Sequence, residues 1–145
     1  MKISTKGKYG IKAIIDLAIN STEEAVTLKS ISERQNISEG YLEQIFSLLR
    51  KNNLIKGIKG AQGGYILEKD SAHITAGEIL RALEGDLSVV EFNDDYLNNR
   101  MEKSIKTNLW DRINENIERV VDSITLEDLV EAYKKSDNEN IMYYI

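Results

Sequence analysis

The chain has 145 residues, 41% of them hydrophobic and 30% charged, a balance that suits one folded core with an extension rather than two domains with large cores of their own. It holds no cysteine, no proline and a single histidine, His73, which excludes disulfides, thiolate zinc sites and cysteine-ligated iron–sulfur clusters; the expectation is that it uses no metal cofactor. The net charge of −5 is unevenly spread: residues 1–69 carry 11 Lys+Arg against 7 Asp+Glu, or +4, and residues 70–145 carry 8 against 17, or −9, so the front half suits a polyanionic partner.

Without proline, Gly, Asn, Asp and Ser punctuate the chain. From Thr5 to Asn20 the apolar residues recur at three- and four-residue steps, which predicts a mostly buried helix ending at Asn20-Ser21-Thr22. A short helix follows over Leu28–Gln35, closed by Asn36 as a left-handed terminator. Ser38 is the N-cap of the next, whose Tyr41, Leu42, Ile45, Phe46, Leu48 and Leu49 mark an apolar face running toward Asn52-Asn53. Two helices joined by so short a turn make a helix-turn-helix candidate. Residues 54–59 and 65–68 read as two strands around Gly60-Ala61-Gln62-Gly63-Gly64, that is, a hairpin or wing.

Thr75 and Glu78 have capping-box spacing, opening a helix through Leu83 that Gly85 stops. The acidic, Asn-rich stretch that follows reads as a linker over residues 85–99. Met101, Ile105, Leu109, Trp110, Ile113, Ile117, Val120, Val121 and Ile124 then trace one long amphipathic helix. At 1.5 Å per residue its roughly 22 residues span about 33 Å, wider than the small domain before it, so part of the stripe is expected to be covered by a second copy of the chain. Thr125 opens a short last helix with Leu126, Leu129, Val130 and Tyr133 on one side, and the chain closes with Ile141-Met142-Tyr143-Tyr144-Ile145.

For function, the outward residues at the start of the second helix-turn-helix helix are the candidates for base edges: Ser38, Glu39, Tyr41, Glu43 and Gln44. A purely structural reading competes, in which Ser38 caps, Tyr41 packs inward and the two glutamates face solvent. The balance moves toward DNA because Lys56 and Lys59, with Gln62 and Gly63 at the hairpin tip, and Lys2, Lys6 and Lys8 at the start of the first helix supply phosphate ligands on either side. Gly60–Gly64 is not a nucleotide loop, since no Gly-Lys-Ser/Thr ending or helix start follows. His73 has no identifiable partner and no nucleophile–base–acid set is visible, so the chain is not expected to be an enzyme. No apolar run approaches the roughly 20 residues of a membrane span, nor does the start resemble a secretory leader, so a cytoplasmic location is expected.

These motifs resemble a known family. The run Met1–Gly10, then Ile31-Ser32-Glu33-Arg34-Gln35, Ile37-Ser38, Tyr41-Leu42-Glu43-Gln44 and Gly60-Ala61-Gln62-Gly63-Gly64-Tyr65 look like the winged-helix regulators of the iron–sulfur regulator IscR type. Residues 74–79, Leu83-Glu84-Gly85, Leu109-Trp110, residues 125–129 and the Tyr-Ile ending are most similar to its branch of cysteine-metabolism repressors from low-GC Gram-positive bacteria. Cluster-binding members place three cysteines in the stretch matching about Val90 to Ser104, where this chain has none. The resemblance implies a dimeric repressor of cysteine and sulfur genes, binding a palindromic double-stranded DNA operator through the helix at Ser38–Lys51 and the wing at Lys56–Tyr65. It further implies cysteine synthase as co-regulator, an enzyme family that accepts partner chains ending in isoleucine. On that basis Tyr143, Tyr144 and Ile145 are candidate partner-binding residues; the competing reading packs them against the chain's own dimer.

The resulting expectation is a mostly α chain, α+β in detail. A winged helix-turn-helix domain with a two-stranded wing occupies residues 1–84, a linker 85–99, and a dimerisation helix with C-terminal tail 100–145. The competing class is a protein-interaction module on the same scaffold, or a repressor of a different regulon.

Overall fold

The structure is a computed structural model that describes residues 2–92 and 98–143, with side chains described through residue 139. Helix α1 (Thr5–Asn20) runs through the centre, and Ala13, Ile14 and Leu17 on its inner face are wholly buried. Helices α2 (Leu28–Gln35) and α3 (Glu39–Lys51) pack against it, joined by a turn in which Asn36 takes the left-handed conformation at φ 55°, as its residue type predicts. Ile31, Leu42, Ile45, Phe46 and Leu49 complete this part of the core. Each such side chain contributes about 1.5–3 kcal/mol by leaving water.

Strands β1 (Ile55–Ile58) and β2 (Gly64–Leu67) pair antiparallel with Ile55 opposite Leu67 and Ile58 opposite Gly64. Val26 adds an isolated bridge to Tyr65 on the other side of β2, through Val26 N–H to Tyr65 C=O at 2.9 Å and Tyr65 N–H to Val26 C=O at 2.7 Å. Gly64 is required there: a Cβ on it would stand 2.5 Å from the Val26 carbonyl oxygen. Tyr65 meets Phe46 edge to face at 5.0 Å, which fastens the wing to α3.

A 3₁₀ turn (Ser71–His73) leads to α4 (Ala76–Glu84). Thr75 caps α4 through its hydroxyl oxygen, which accepts from the Glu78 amide at 3.0 Å. The Glu78 carboxylate accepts from Lys69 at 3.0 Å, so the pair is not the reciprocal box its spacing predicts. The reciprocal arrangement occurs instead at Thr125 and Asp128, where each side chain accepts from the other's backbone N–H.

The long amphipathic helix is present but interrupted in its winding. Helix α5 (Arg100–Ile105) passes into a π-helical turn (Lys106–Trp110) and on into α6 (Asp111–Ser123). Met101, Ile105, Leu109, Ile113, Ile117 and Val121 are spaced by four, and on an α-helix each such step overshoots a full turn by about 40°. A π turn inserts one extra residue and takes up about 100° of that drift, which keeps the stripe nearer to one side. Lys106 and Asp111, five apart and bonded at 2.9 Å, brace this turn; on a regular helix they would point about 140° apart. Lys106 also lies over the Phe92 ring, 5.1 Å from its centre.

Helix α7 (Leu126–Tyr143) is longer than the short one expected, because no glycine or proline interrupts residues 126–143. It returns to the body, with Leu126 and Val130 buried in the same core as α1 and α4. Tyr144 and Ile145, and with them most of the expected tail contact, lie outside the described residues, as does the side chain of Tyr143.

Candidate nucleic-acid interface

Ser38 stands at φ −61°, ψ 145° and accepts from the Tyr41 amide at 3.2 Å, so it caps α3 through its side chain. The first turns of α3 leave Glu39, Gly40, Glu43, Gln44 and Ser47 exposed. Positions 40, 43, 44 and 47 repeat at steps of three, one and three, hence on one face of the helix. Tyr41 is half-buried and packs edge to face on Tyr9 at 5.8 Å, which sets the start of α3 beside the start of α1. Its ring is part of the scaffold on one side and borders the exposed face on the other. Sequence reasoning passed over Gly40 and Ser47; the three- and four-residue spacing from Glu43 and Gln44 was the signal for both. A Cβ at Gly40 would meet nothing within 4 Å, so this glycine leaves a flat spot where another backbone can come close.

The lysines sit on two elements that contact α3: the start of α1, which meets it through Tyr9 and Tyr41, and the wing, which meets it through Tyr65 and Phe46. Lys2 and Lys8 are exposed and Lys6 is half-buried at the first turn of α1. That turn is held in place by Ser4, whose hydroxyl accepts from Gly7 N–H at 3.3 Å and donates to Glu84 Oε1 at 2.6 Å, while its backbone N–H donates to the same oxygen at 3.0 Å. On the wing, Lys56, Lys59 and Gln62 are exposed, and Gly63 is half-buried where its N–H closes a turn onto the Gly60 carbonyl at 3.0 Å. Among the described residues none of Lys2, Lys6, Lys8, Lys56 and Lys59 forms an ion pair within the chain. Their charge is therefore available to an external anion. Arg50 and Lys51 add two exposed cations at the end of α3, which the sequence reading did not single out.

One charged group is built into the scaffold beneath these elements. Asp16 on α1 is 3% exposed and accepts from Arg34 Nη2 at 2.7 Å and Nε at 2.9 Å, and from Gln35 Nε2 at 2.7 Å. Burial pushes its carboxyl up, but the hydrogen bonds from Arg34, Gln35 and Asn20 and the Arg34 charge outweigh this and hold it below its ordinary value of 3.8. This fixes the end of α2, and with it the turn into α3, on α1.

The family model described as an iron-dependent transcriptional regulator, Rrf2, matches residues 3–132. The chain belongs to this family. It is 47% identical over 145 residues to the HTH-type transcriptional regulator CymR of Bacillus subtilis, covering 100% of both chains. To the regulator IscR of Klebsiella pneumoniae it is 38% identical over 130 residues, 90% of this chain and 80% of that one. The solved structure of the B. subtilis CymR superimposes with a TM-score of 0.78 over 91% of this chain and 98% of that one. That of an IscR from T. potens gives 0.74 at 43% identity, over 94% and 90%. The chain is thus a winged-helix transcription regulator and not an enzyme. As for the iron in the family's description, the donor set does not fit a thiolate-held cluster: there is no cysteine, the one histidine sits exposed on the 3₁₀ turn, and no group of three His, Cys, Asp or Glu converges among the described residues.

The apolar stripe is largely open to solvent. Met101, Ile105, Leu109 and Val120 are 70%, 36%, 45% and 57% exposed, and Trp110, Ile113, Ile117 and Val121 are half-buried. The other side of α6 is taken up by α4 through a two-pronged Arg81–Asp122 pair at 2.7 and 3.0 Å. No helix among the described residues is long and apolar enough to cross a membrane.

Proposed function

We propose that the chain is a cytoplasmic, homodimeric repressor that binds a palindromic DNA operator without an iron–sulfur cluster. The single observation that supports this reading is that lysines without an ion-pair partner among the described residues lie on the start of α1 and on the wing. These two elements are joined to α3 by the Tyr9–Tyr41 and Tyr65–Phe46 contacts, on a helix-turn-helix anchored by Asp16. Ser38, Glu39, Tyr41, Glu43 and Gln44 border the base edges, and Lys2, Lys6, Lys8, Lys56, Lys59, Gln62 and Gly63 the backbone. Residues 1–84 act as the DNA-binding unit, 85–99 as the connector, and the α5–α6 rod joins two copies through Met101, Ile105, Leu109, Trp110, Ile113, Ile117, Val120 and Val121. A stripe so apolar costs solubility when bare, and self-pairing by two-fold symmetry covers it.

The genes concerned are those of cysteine and sulfur metabolism, a reading supported by the relative whose structure is described as the global cysteine regulator of B. subtilis. Cysteine synthase is the proposed co-regulator, docked by Tyr143, Tyr144 and Ile145. Gel shifts with duplexes taken upstream of sulfur genes test the first part: a palindrome should bind far more tightly than one half-site, and equal affinity for unrelated duplexes would defeat the proposal. A pull-down of cysteine synthase with and without Ile145 tests the second, equal recovery removing the tail's role.

A further inference from the structure

Helices α1, α2 and α7 line a cleft of about 560 Å³, within the range of sites that take small molecules. Its lining divides into parts of different chemistry. Ile15 and Ile19 form a half-buried apolar wall, faced from α7 by the Tyr133 ring, which is 56% exposed. Lys12 stands on the rim, exposed and without an ion-pair partner among the described residues.

The remaining lining follows from Asp16. An ionised carboxylate only accepts hydrogen bonds, so it fixes the orientation of both neighbouring amides: Gln35 donates its Nε2 at 2.7 Å, and Asn20 its Nδ2 to Oδ1 at 3.3 Å and to the Asp16 carbonyl at 2.9 Å. Each amide therefore keeps its oxygen on the side away from Asp16. Among the described residues neither oxygen accepts a bond from the protein. The cleft thus combines a free cation, two free carbonyl acceptors and an apolar wall.

We propose that this cleft binds a free α-amino acid with an apolar side chain. The ligand carboxylate pairs with Lys12, its ammonium donates to the Gln35 and Asn20 oxygens, and its side chain lies on Ile15, Ile19 and Tyr133. A phosphorylated ligand fits less well, because Arg34 is already committed to Asp16 and the single free charge of Lys12 matches one carboxylate rather than the two negative charges of a phosphate. Arg34 and Gln35 close the helix that precedes the turn into α3, and Tyr133 belongs to the helix that follows the long rod. An occupant therefore touches both ends of the chain, and any effect on operator affinity rests on the DNA-binding reading above.

The test needs no DNA, so its failure is distinct from failure of that reading. The ¹⁵N-labelled full chain is titrated with each proteinogenic L-amino acid and followed by the side-chain amide signals of Asn20 and Gln35. At least one apolar amino acid should shift both signals and saturate with a Kd below about 1 mM. The deaminated acid and the amide of that amino acid, each missing one charge, should bind at least about tenfold more weakly. Lys12→Glu should weaken binding by a similar factor and Tyr133→Ala by about threefold. Both residues are exposed, and an unchanged spectrum elsewhere verifies the fold. Absence of saturable shifts with every amino acid overturns the proposal, as does equal binding of the single-charge analogues or of Lys12→Glu.

Discussion

The sharpest perturbation of the proposed interface is Lys59→Ala. Lys59 sits exposed on the wing with no ion-pair partner among the described residues, so removing it changes little in the fold and takes one cation from each protomer. Each phosphate neutralised contributes about 0.9 to the slope of log affinity against log salt. Two copies should therefore flatten the slope by about 1.8, so that between about 50 and about 200 mM salt the variant loses roughly tenfold less affinity than the unaltered protein. The measurement is fluorescence anisotropy with one palindromic and one unrelated duplex over a salt series. The shift in slope should be the same for both, since phosphate carries no sequence information. Glu43→Ala should do the opposite, altering the preference among base substitutions while leaving the slope unmoved. An unchanged slope in Lys59→Ala refutes the placing of the wing on the DNA backbone.

Further expectations follow from the scaffold. Gly64→Ala would drive a methyl group to 2.5 Å from the Val26 carbonyl oxygen, and should cost more than about 2 kcal/mol in urea unfolding; a neutral result would mean that the Val26 bridge is dispensable. Asp16→Asn leaves Arg34 facing a neutral amide and should cost about 1–3 kcal/mol, the lower end because the Arg34 side chain is 40% exposed. The Asp16 carboxyl is held below its ordinary 3.8 in the fold, so its contribution is complete above pH 3.8 and lost as the pH falls through the lower folded value. The stability gap between Asp16→Asn and the unaltered protein should therefore narrow only under such acid conditions, and a gap that closes near neutral pH contradicts the assignment. Val120→Glu, at a position 57% exposed in one protomer, should leave the protomer folded and yield monomers in sedimentation; a persistent dimer would move the interface elsewhere.

The sequence carried most of the local structure because the relevant signals are local. Asn36, Ser38 and Thr75 mark their helix ends by residue type alone, and the stripe from Met101 to Ile124 declares itself through its period. What stayed hidden depends on contacts distant in the chain. Thr75 and Glu78 have the spacing of a reciprocal cap, yet Lys69 offers Glu78 a full charge, which a backbone amide cannot match. The π turn was encoded in the i+4 drift and in the Lys106–Asp111 spacing, but a pattern of apolar residues alone does not distinguish a wound helix from an overfull one. In the sequence Asp16 is one polar residue among the apolar ones of α1; only the fold brings Arg34 and Gln35, 18 and 19 residues on, to satisfy it. In the candidate site, residue type and spacing single out the lysines and Gln44 as candidates, whereas Gly40 shares the spacing of Glu43 and Gln44 but has no side chain to point to a contact.

A two-fold operator is read well only if the arms that join the protomers hold both recognition helices at a fixed separation. Helix α4 is where this rigidity is set. Arg81 binds Asp122 on the rod with two hydrogen bonds, and Glu84, almost one turn further on, takes both donors of Ser4 at the start of α1. The rod and the start of α1 are thus both pinned to one short helix. Arg81→Ala cuts the first pin, and because Arg81 and Asp122 are 37% and 45% exposed, stability should fall by less than about 1 kcal/mol. Affinity for one half-site should not change. Affinity for the palindrome should fall, and inserting one base pair between half-sites should penalise the variant less than the unaltered protein, because a loosened arm adapts to the altered spacing. Equal losses on half-site and palindrome would show that Arg81 acts on the DNA-binding face itself, and would leave the spacing between recognition helices to be fixed by the apolar stripe alone.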